Sequence, residues 1–72
     1  MNGKKLLELR ERTGLSQGAL AARASVEQAV ISRAEAGLRS VTSTTLRQIA
    51  EALAGELGED VGAVMKSLTD PA

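Results

Sequence analysis

Apolar residues recur along this chain at intervals of three and four, the spacing that places side chains on one face of an α-helix. No segment has the alternation of apolar and polar residues that is typical of a half-buried strand. The pattern predicts five helices with short connections: residues 4–12, 17–24, 28–36, a fourth from Thr42 or Ser43 to about Ala54, and 60–68. We therefore expect a compact all-α bundle of five helices.

Residues at the ends of these segments support the predicted boundaries. Gly14 can take the left-handed conformation that ends the first helix, and Ser16 can cap the free amides of the second. Gly55 and Gly58 are expected to break the fourth helix.

The second and third segments have the spacing of two helices that cross steeply after a short turn. Ala21 would lie where the two backbones cross and must be small, Val26 would fill the turn, and Ile31 would anchor the third helix. The predicted inward positions are Leu20, Ala21, Ala24, Val26, Ile31 and Ala34. This geometry is that of a helix-turn-helix.

The composition excludes many kinds of chemistry. The 72 residues include no Cys and no His, which excludes disulfides, thiolate or imidazole metal sites and the usual general base. We expect no enzymatic activity, no metal and no cofactor. Because Phe, Trp and Tyr are also absent, the chain lacks the stacking platform that binds single-stranded bases. Any nucleic acid bound by this chain should therefore be a duplex.

The formal net charge is zero, but the charge is unevenly distributed. Residues 1–47 hold eight Lys and Arg against four Glu, a net charge of +4, whereas residues 48–72 hold one Lys against five Asp and Glu, a net charge of −4. On charge alone, solvated helix faces and a basic binding surface both remain open. The longest apolar run, residues 19–22, is far too short to span a bilayer, and we expect a cytoplasmic protein.

A set of short motifs extends from about Leu6 to Leu53. They are Leu9-Arg10, Gly14-Leu15-Ser16-Gln17, Leu20-Ala21, Val26, Ile31-Ser32-Arg33, Glu35, Gly37, Arg39, Thr45-Leu46, Ile49-Ala50 and Leu53. On these residues the chain resembles the Cro/CI (XRE) family of phage repressors and bacterial regulators. The resemblance implies one lambda-repressor-like domain over residues 1–72, with the helix-turn-helix in the second and third helices and double-stranded DNA as its partner.

The resemblance also implies where DNA would be contacted, with the third helix in the major groove. The outward face of that helix, which would read base edges, consists of Gln28, Ala29, Ser32 and Arg33. The residues expected to contact phosphates are Ser16, Gln17, Arg39, Ser43 and Thr44. Arg10 and Glu35 are expected to form a structural ion pair between the first and third helices.

Two positions depart from the family's pattern. Ser25 stands in the turn where the family usually has Gly, and a non-glycine residue held left-handed costs roughly 1 kcal/mol. Glu27 stands where the family often has Ser or Thr as the cap of the third helix, and it is a poorer cap. Alternatively, Ser25 and Gln28 could form a capping box that lengthens the third helix by about two residues.

These residues favour a sequence-specific regulator of transcription that acts by occupying an operator, as a repressor does. One helix reads only about four base pairs, so a palindromic operator and a twofold homodimer are expected. Val64, Met65 and Leu68 are the candidate dimer interface, because they exceed what the core of so short a chain has room for. Alternatively, these three side chains only cap the bundle.

Two other interpretations stay open. An antitoxin or bridging factor could use the same scaffold to bind a protein, which the zero net charge and the apolar Val30 on the third helix favour slightly. The chain could also be the DNA-binding part of a longer repressor that is cut after Pro71.

Overall fold

The computed structural model describes residues 1–37 and 41–70. These residues form five α-helices and no strand, as the sequence predicts. The helices are α1 (Gly3–Thr13), α2 (Gln17–Ala24), α3 (Gln28–Glu35), α4 (Ser43–Leu57) and α5 (Val61–Thr69). None of these described helices is long and apolar enough to cross a membrane.

Short polar side chains begin four of the five described helices. Ser16 caps α2 as predicted, because its Oγ accepts a hydrogen bond at 3.0 Å from a main-chain N–H in the first turn. Thr42, rather than Ser43, caps α4 in the same way. Asn2 caps α1 and Asp60 caps α5. Each cap satisfies an amide that has no partner within its helix.

Helix α4 is longer than the sequence predicts. The prediction that Gly55 breaks the helix is wrong, and the helix ends only at Gly58, which is left-handed with φ 67°. Glycine inside a helix costs about 1 kcal/mol relative to alanine. The turn around Gly55 packs Ala54 and Leu57 against the core, and this burial carries the helix past Gly55.

The core is built from aliphatic side chains of all five helices. Helix α4 packs against α1, α2 and α5, while α3 packs against α1 and α2. No polar or charged residue is buried within residues 1–37 and 41–70. The buried hydrophobic residues are Leu6, Leu9, Leu20, Ala21, Ala24, Ile31, Ala34, Ile49, Ala50, Leu53, Ala54, Val64 and Leu68. The many alanines among them let the helices approach closely.

Helix α5 belongs to this core. Val64 is 1 % exposed and Leu68 is fully buried, so the expectation that these two side chains exceed the core and are available to a partner is wrong. The physical reason is that α5 folds back onto α4 and α1, so the chain itself covers the apolar stripe of this helix. Met65, the third residue of the predicted interface, is half-buried and retains exposed surface.

The N-terminal segment ties α5 to α3. The main-chain N–H of Asn2 donates to the carbonyl of Leu68 at 2.6 Å, and its side-chain amide donates to the carbonyl of Asp70 at 3.2 Å. Gly3 lies against the carboxyl end of α3, where a Cβ atom would come within 2.2 Å of the Ala34 carbonyl oxygen. The chain therefore needs a glycine at this position for α1 to pack against α3.

Candidate nucleic-acid interface

The turn between α2 and α3 is held by a left-handed residue. Ser25 has φ 59° and ψ 41°, the conformation expected for the position where the resembled family has Gly. The N–H of Val26 donates to the carbonyl of Ala21 at 3.0 Å, which closes the turn. Glu27 precedes α3 without a side-chain cap bond and α3 begins at Gln28, so the alternative capping box does not form.

The outward face of α3 is open to solvent. Gln28, Ala29, Ser32 and Arg33 are all exposed, and they share one side of the helix. The opposite side is fixed by the buried residues Ile31 and Ala34. The structure thus presents the four predicted base-reading residues together on a helix whose position is set by the core.

Gln28 lies against the first turn of α2. A Cβ atom built on Gly18 would be 3.2 Å from Oε1 of Gln28 and 3.7 Å from its Cδ. The side-chain amide of Gln28 therefore occupies space that any residue larger than glycine would partly fill.

The predicted ion pair between α1 and α3 is confirmed. Nε of Arg10 donates to Oε2 of Glu35 at 2.5 Å, and Nη2 donates to Oε1 at 3.2 Å. The side chains of Arg10 and Glu35 are 15 % and 6 % exposed. Nη1 of Arg10 also donates to the carbonyl of Leu15 at 2.9 Å. The hydrogen bond to Glu35 raises the pKa of Arg10 above its ordinary value, so the guanidinium remains charged.

Gln17 joins the same carboxylate. Its Nε2 donates to Oε1 of Glu35 at 2.9 Å, so the carboxylate connects α1, α2 and α3. Gln17 is half-buried, and one of its two amide hydrogens is already used. The second amide hydrogen remains for another acceptor. The family resemblance implies a phosphate contact for Gln17, but the bond from Gln17 to Glu35 was not predicted.

The other predicted phosphate-binding residues lie at the starts of α2 and α4. Ser16 is exposed, and its hydroxyl can donate outward while it caps α2. Ser43 and Thr44 are exposed in the first turn of α4. Arg39 lies outside the described residues.

Ion pairs neutralise some of the basic side chains on the surface. Arg12, for which no partner is evident from the sequence, donates to Glu59 at 2.7 Å, and Arg23 pairs with Glu56. Two basic residues of the first half of the chain are thus neutralised by acids that follow in α4 and in the link to α5. Within residues 1–37 and 41–70, Arg33 is in no ion pair. The positive charge on the outward face of α3 is therefore left uncompensated by the described part of the chain.

Three residues that shape this region, Asn2, Gly3 and Gly18, were not predicted from the sequence. Asn2 had a usable signal, since Asn at the start of a helical pattern is a common cap. Gly3 and Gly18 had none, because the approach of another helix to a glycine depends on the tertiary packing. No group of His, Cys, Asp or Glu that could hold a metal ion occurs in the described ranges.

Comparison with known proteins identifies the family. No curated protein matches the sequence significantly. A family model described as a helix-turn-helix domain matches residues 3–61, which covers α1 to α4 and stops at the first residue of α5. The match includes the left-handed turn, the exposed face of α3 and the ion pair that joins α3 to α1. The chain belongs to the helix-turn-helix domain family.

Proposed function

We propose that this protein is a sequence-specific regulator of transcription that binds double-stranded DNA through α3. The observation that carries this proposal is the outward face of α3, where Gln28 and Arg33 are exposed on a helix fixed by buried residues and by the Arg10 to Glu35 pair. A helix held in this way can enter the major groove without first having to be ordered.

The four exposed residues of α3 suit the recognition of base pairs. The amide of Gln28 can bond to N6 and N7 of adenine, and the guanidinium of Arg33 to O6 and N7 of guanine. The methyl of Ala29 can pack against a thymine methyl, and Ser32 can accept or donate to either kind of base. Each good two-bond contact is worth about 1–3 kcal/mol of discrimination between bases.

Contacts to phosphates would set the position of α3 in the groove. Ser16 and Gln17 lie at the start of α2, where free amides favour an anion, and Ser43 and Thr44 lie at the start of α4. The bond from Gln17 to Glu35 limits the motion of the Gln17 amide, which lowers the entropy cost of a phosphate contact.

The expected operator is a palindrome bound by a homodimer, because one helix reads too few base pairs to specify a unique site. Val64 and Leu68 are buried and are not part of the proposed interface. The half-buried residues Val61 and Met65, one turn apart on α5, are the larger apolar side chains that this helix still offers to a second copy. Two recognition helices would then lie about 34 Å apart on one face of the duplex.

A second candidate function is binding of a protein partner, as in an antitoxin or a bridging factor. Val30 is half-buried on α3 beside the exposed Ala29, which gives the helix some apolar surface. The ion pairs of Arg12 and Arg23 with acids, together with a net charge of zero, also reduce the general attraction to DNA. A protein partner would be favoured if the chain selects no DNA sequence.

Selection of bound sequences from random duplex DNA tests the proposal. The expected result is enrichment of an inverted repeat whose half-sites are one helical turn apart. Enrichment of a single half-site would contradict the proposed homodimer but support sequence-specific binding of DNA. Recovery of unenriched DNA would contradict the proposed function.

A further inference from the structure

We infer that Gly18 is a specificity-determining residue, because its missing side chain makes the space in which the Gln28 amide lies. This inference rests on the proposed function, in which Gln28 reads a base. Gly18 itself has no side chain to contact a base, so its effect on base recognition acts through Gln28.

The geometry places the side chain of Gln28 against the main chain of Gly18. Gly18 is in the first turn of α2, and Gln28 is the first residue of α3. The Cβ of any other residue at position 18 would be 3.2 Å from Oε1 of Gln28, closer than carbon and oxygen normally approach. The amide of Gln28 would have to move by a few tenths of an ångström.

Such a movement costs the fold little but affects recognition. The end of a glutamine side chain is flexible, and Gln28 is exposed, so the bundle need not rearrange. A two-bond contact with adenine, however, requires the amide oxygen and nitrogen to be aligned with two base atoms at once, and hydrogen bonds weaken steeply as distance and angle depart from their optimum. Displacement of the amide therefore lowers the preference for adenine at one position of each half-site.

Gly18→Ala separates this role from a structural one. Gly18 does not have a positive φ, so alanine fits its backbone, and we expect the substitution to keep or raise the melting temperature because the Gln28 side chain can move aside. Gly55→Ala is the matched control, because Gly55 is also helical and without positive φ, and a Cβ there meets nothing within 4 Å. Gln28→Ala gives the full loss of the contact.

The measurement is the relative affinity of each protein for duplexes that differ at one base pair of the selected half-site. Gln28→Ala is expected to lower discrimination at its position by about 5- to 150-fold, and Gly18→Ala by about 3- to 10-fold at the same position only. Gly55→Ala should keep the wild-type preference at every position.

The outcomes distinguish this inference from the proposed function. If Gln28→Ala loses its preference and Gly18→Ala keeps it, the inference about Gly18 is overturned while the proposed function stands. An equal loss at all positions, or an equal effect of Gly55→Ala, also overturns the inference. If the wild-type protein selects no sequence, the proposed function fails and the inference fails with it.

Discussion

The substitution Glu35→Ala tests how strongly the ion pair holds the recognition helix. Glu35 is 6 % exposed, and its removal leaves the guanidinium of Arg10, which is 15 % exposed, with the Leu15 carbonyl as its remaining hydrogen-bond partner. Loss of one partner from a fully buried pair costs about 3–5 kcal/mol, and the Arg10 to Glu35 pair is partly buried. Because Arg10 keeps some contact with water and one carbonyl, we expect the lower end of that range, about 3 kcal/mol.

That cost is a large part of the stability of so small a domain. A chain of 72 residues has an unfolding free energy of roughly 4–11 kcal/mol. The melting temperature should therefore fall by roughly 12–24 °C. Because the chain has no Trp or Tyr, urea unfolding is followed by far-ultraviolet circular dichroism rather than by fluorescence.

A double-mutant cycle of Glu35→Ala with Arg10→Met separates the energy of the ion pair from that of the other contacts of these two residues. The double variant is expected to lose much less than the sum of the single losses, because neither charge is left unpaired. Since the bond to Glu35 raises the pKa of Arg10, the contribution of the Arg10 charge is present at neutral pH and is lost as the pH rises through that raised pKa. A loss below about 1 kcal/mol for Glu35→Ala, the value of an exposed pair, would refute the reasoning, and so would additive losses.

Five further variants test the turn, the N-terminal contact and α5 by urea unfolding, with sedimentation added for Met65→Lys. Ser25→Gly should raise the unfolding free energy by about 0.5–1 kcal/mol because φ is 59°, and an unchanged or lower value would contradict strain at this residue. Gly3→Ala should lower the unfolding free energy by about 1–3 kcal/mol or more, because the added Cβ would clash with main-chain carbonyls of α3. Gly55→Ala should not lower the unfolding free energy, and equal effects of the two variants would contradict the close approach of Gly3 to α3. Leu68→Glu should prevent folding, because it places a charge in the core, and a stably folded Leu68→Glu protein would contradict the burial of α5. Met65→Lys should keep the fold but weaken the proposed dimer, as measured by sedimentation.

Local signals in the sequence were sufficient to predict the helix-turn-helix. The Ser16 cap, the small residue Ala21 at the helix crossing and the inward Ile31 each act within a few residues, and the structure confirms the cap and the burial of both side chains. The left-handed Ser25 follows from the same short stretch of chain. The exposure of the four residues on α3 was predictable because a helix that buries one side must expose the other.

The features that the sequence did not predict depend on contacts between distant segments. Val64 and Leu68 form an apolar stripe whether it is covered by this chain or by a second copy, so periodicity alone cannot say which surface they meet. Gly55 resembles a helix terminator until the burial of Leu57 beyond it is known. The bond from Gln17 to Glu35 joins residues on different helices, and it is visible only once α2 and α3 are packed.

The central claim is that the exposed face of α3 reads base pairs, and a comparison of two arginine variants tests it most directly. Arg33→Ala and Arg47→Ala each remove one positive charge from an exposed side chain, but Arg47 lies on α4, near Glu51 at 3.8 Å. Duplex selection with both variants measures base preference independently of total charge. The account predicts that Arg33→Ala loses the preference for guanine at one position of each half-site, while Arg47→Ala keeps the wild-type sequence. A wild-type preference retained by Arg33→Ala, or the same loss in both variants, would contradict it.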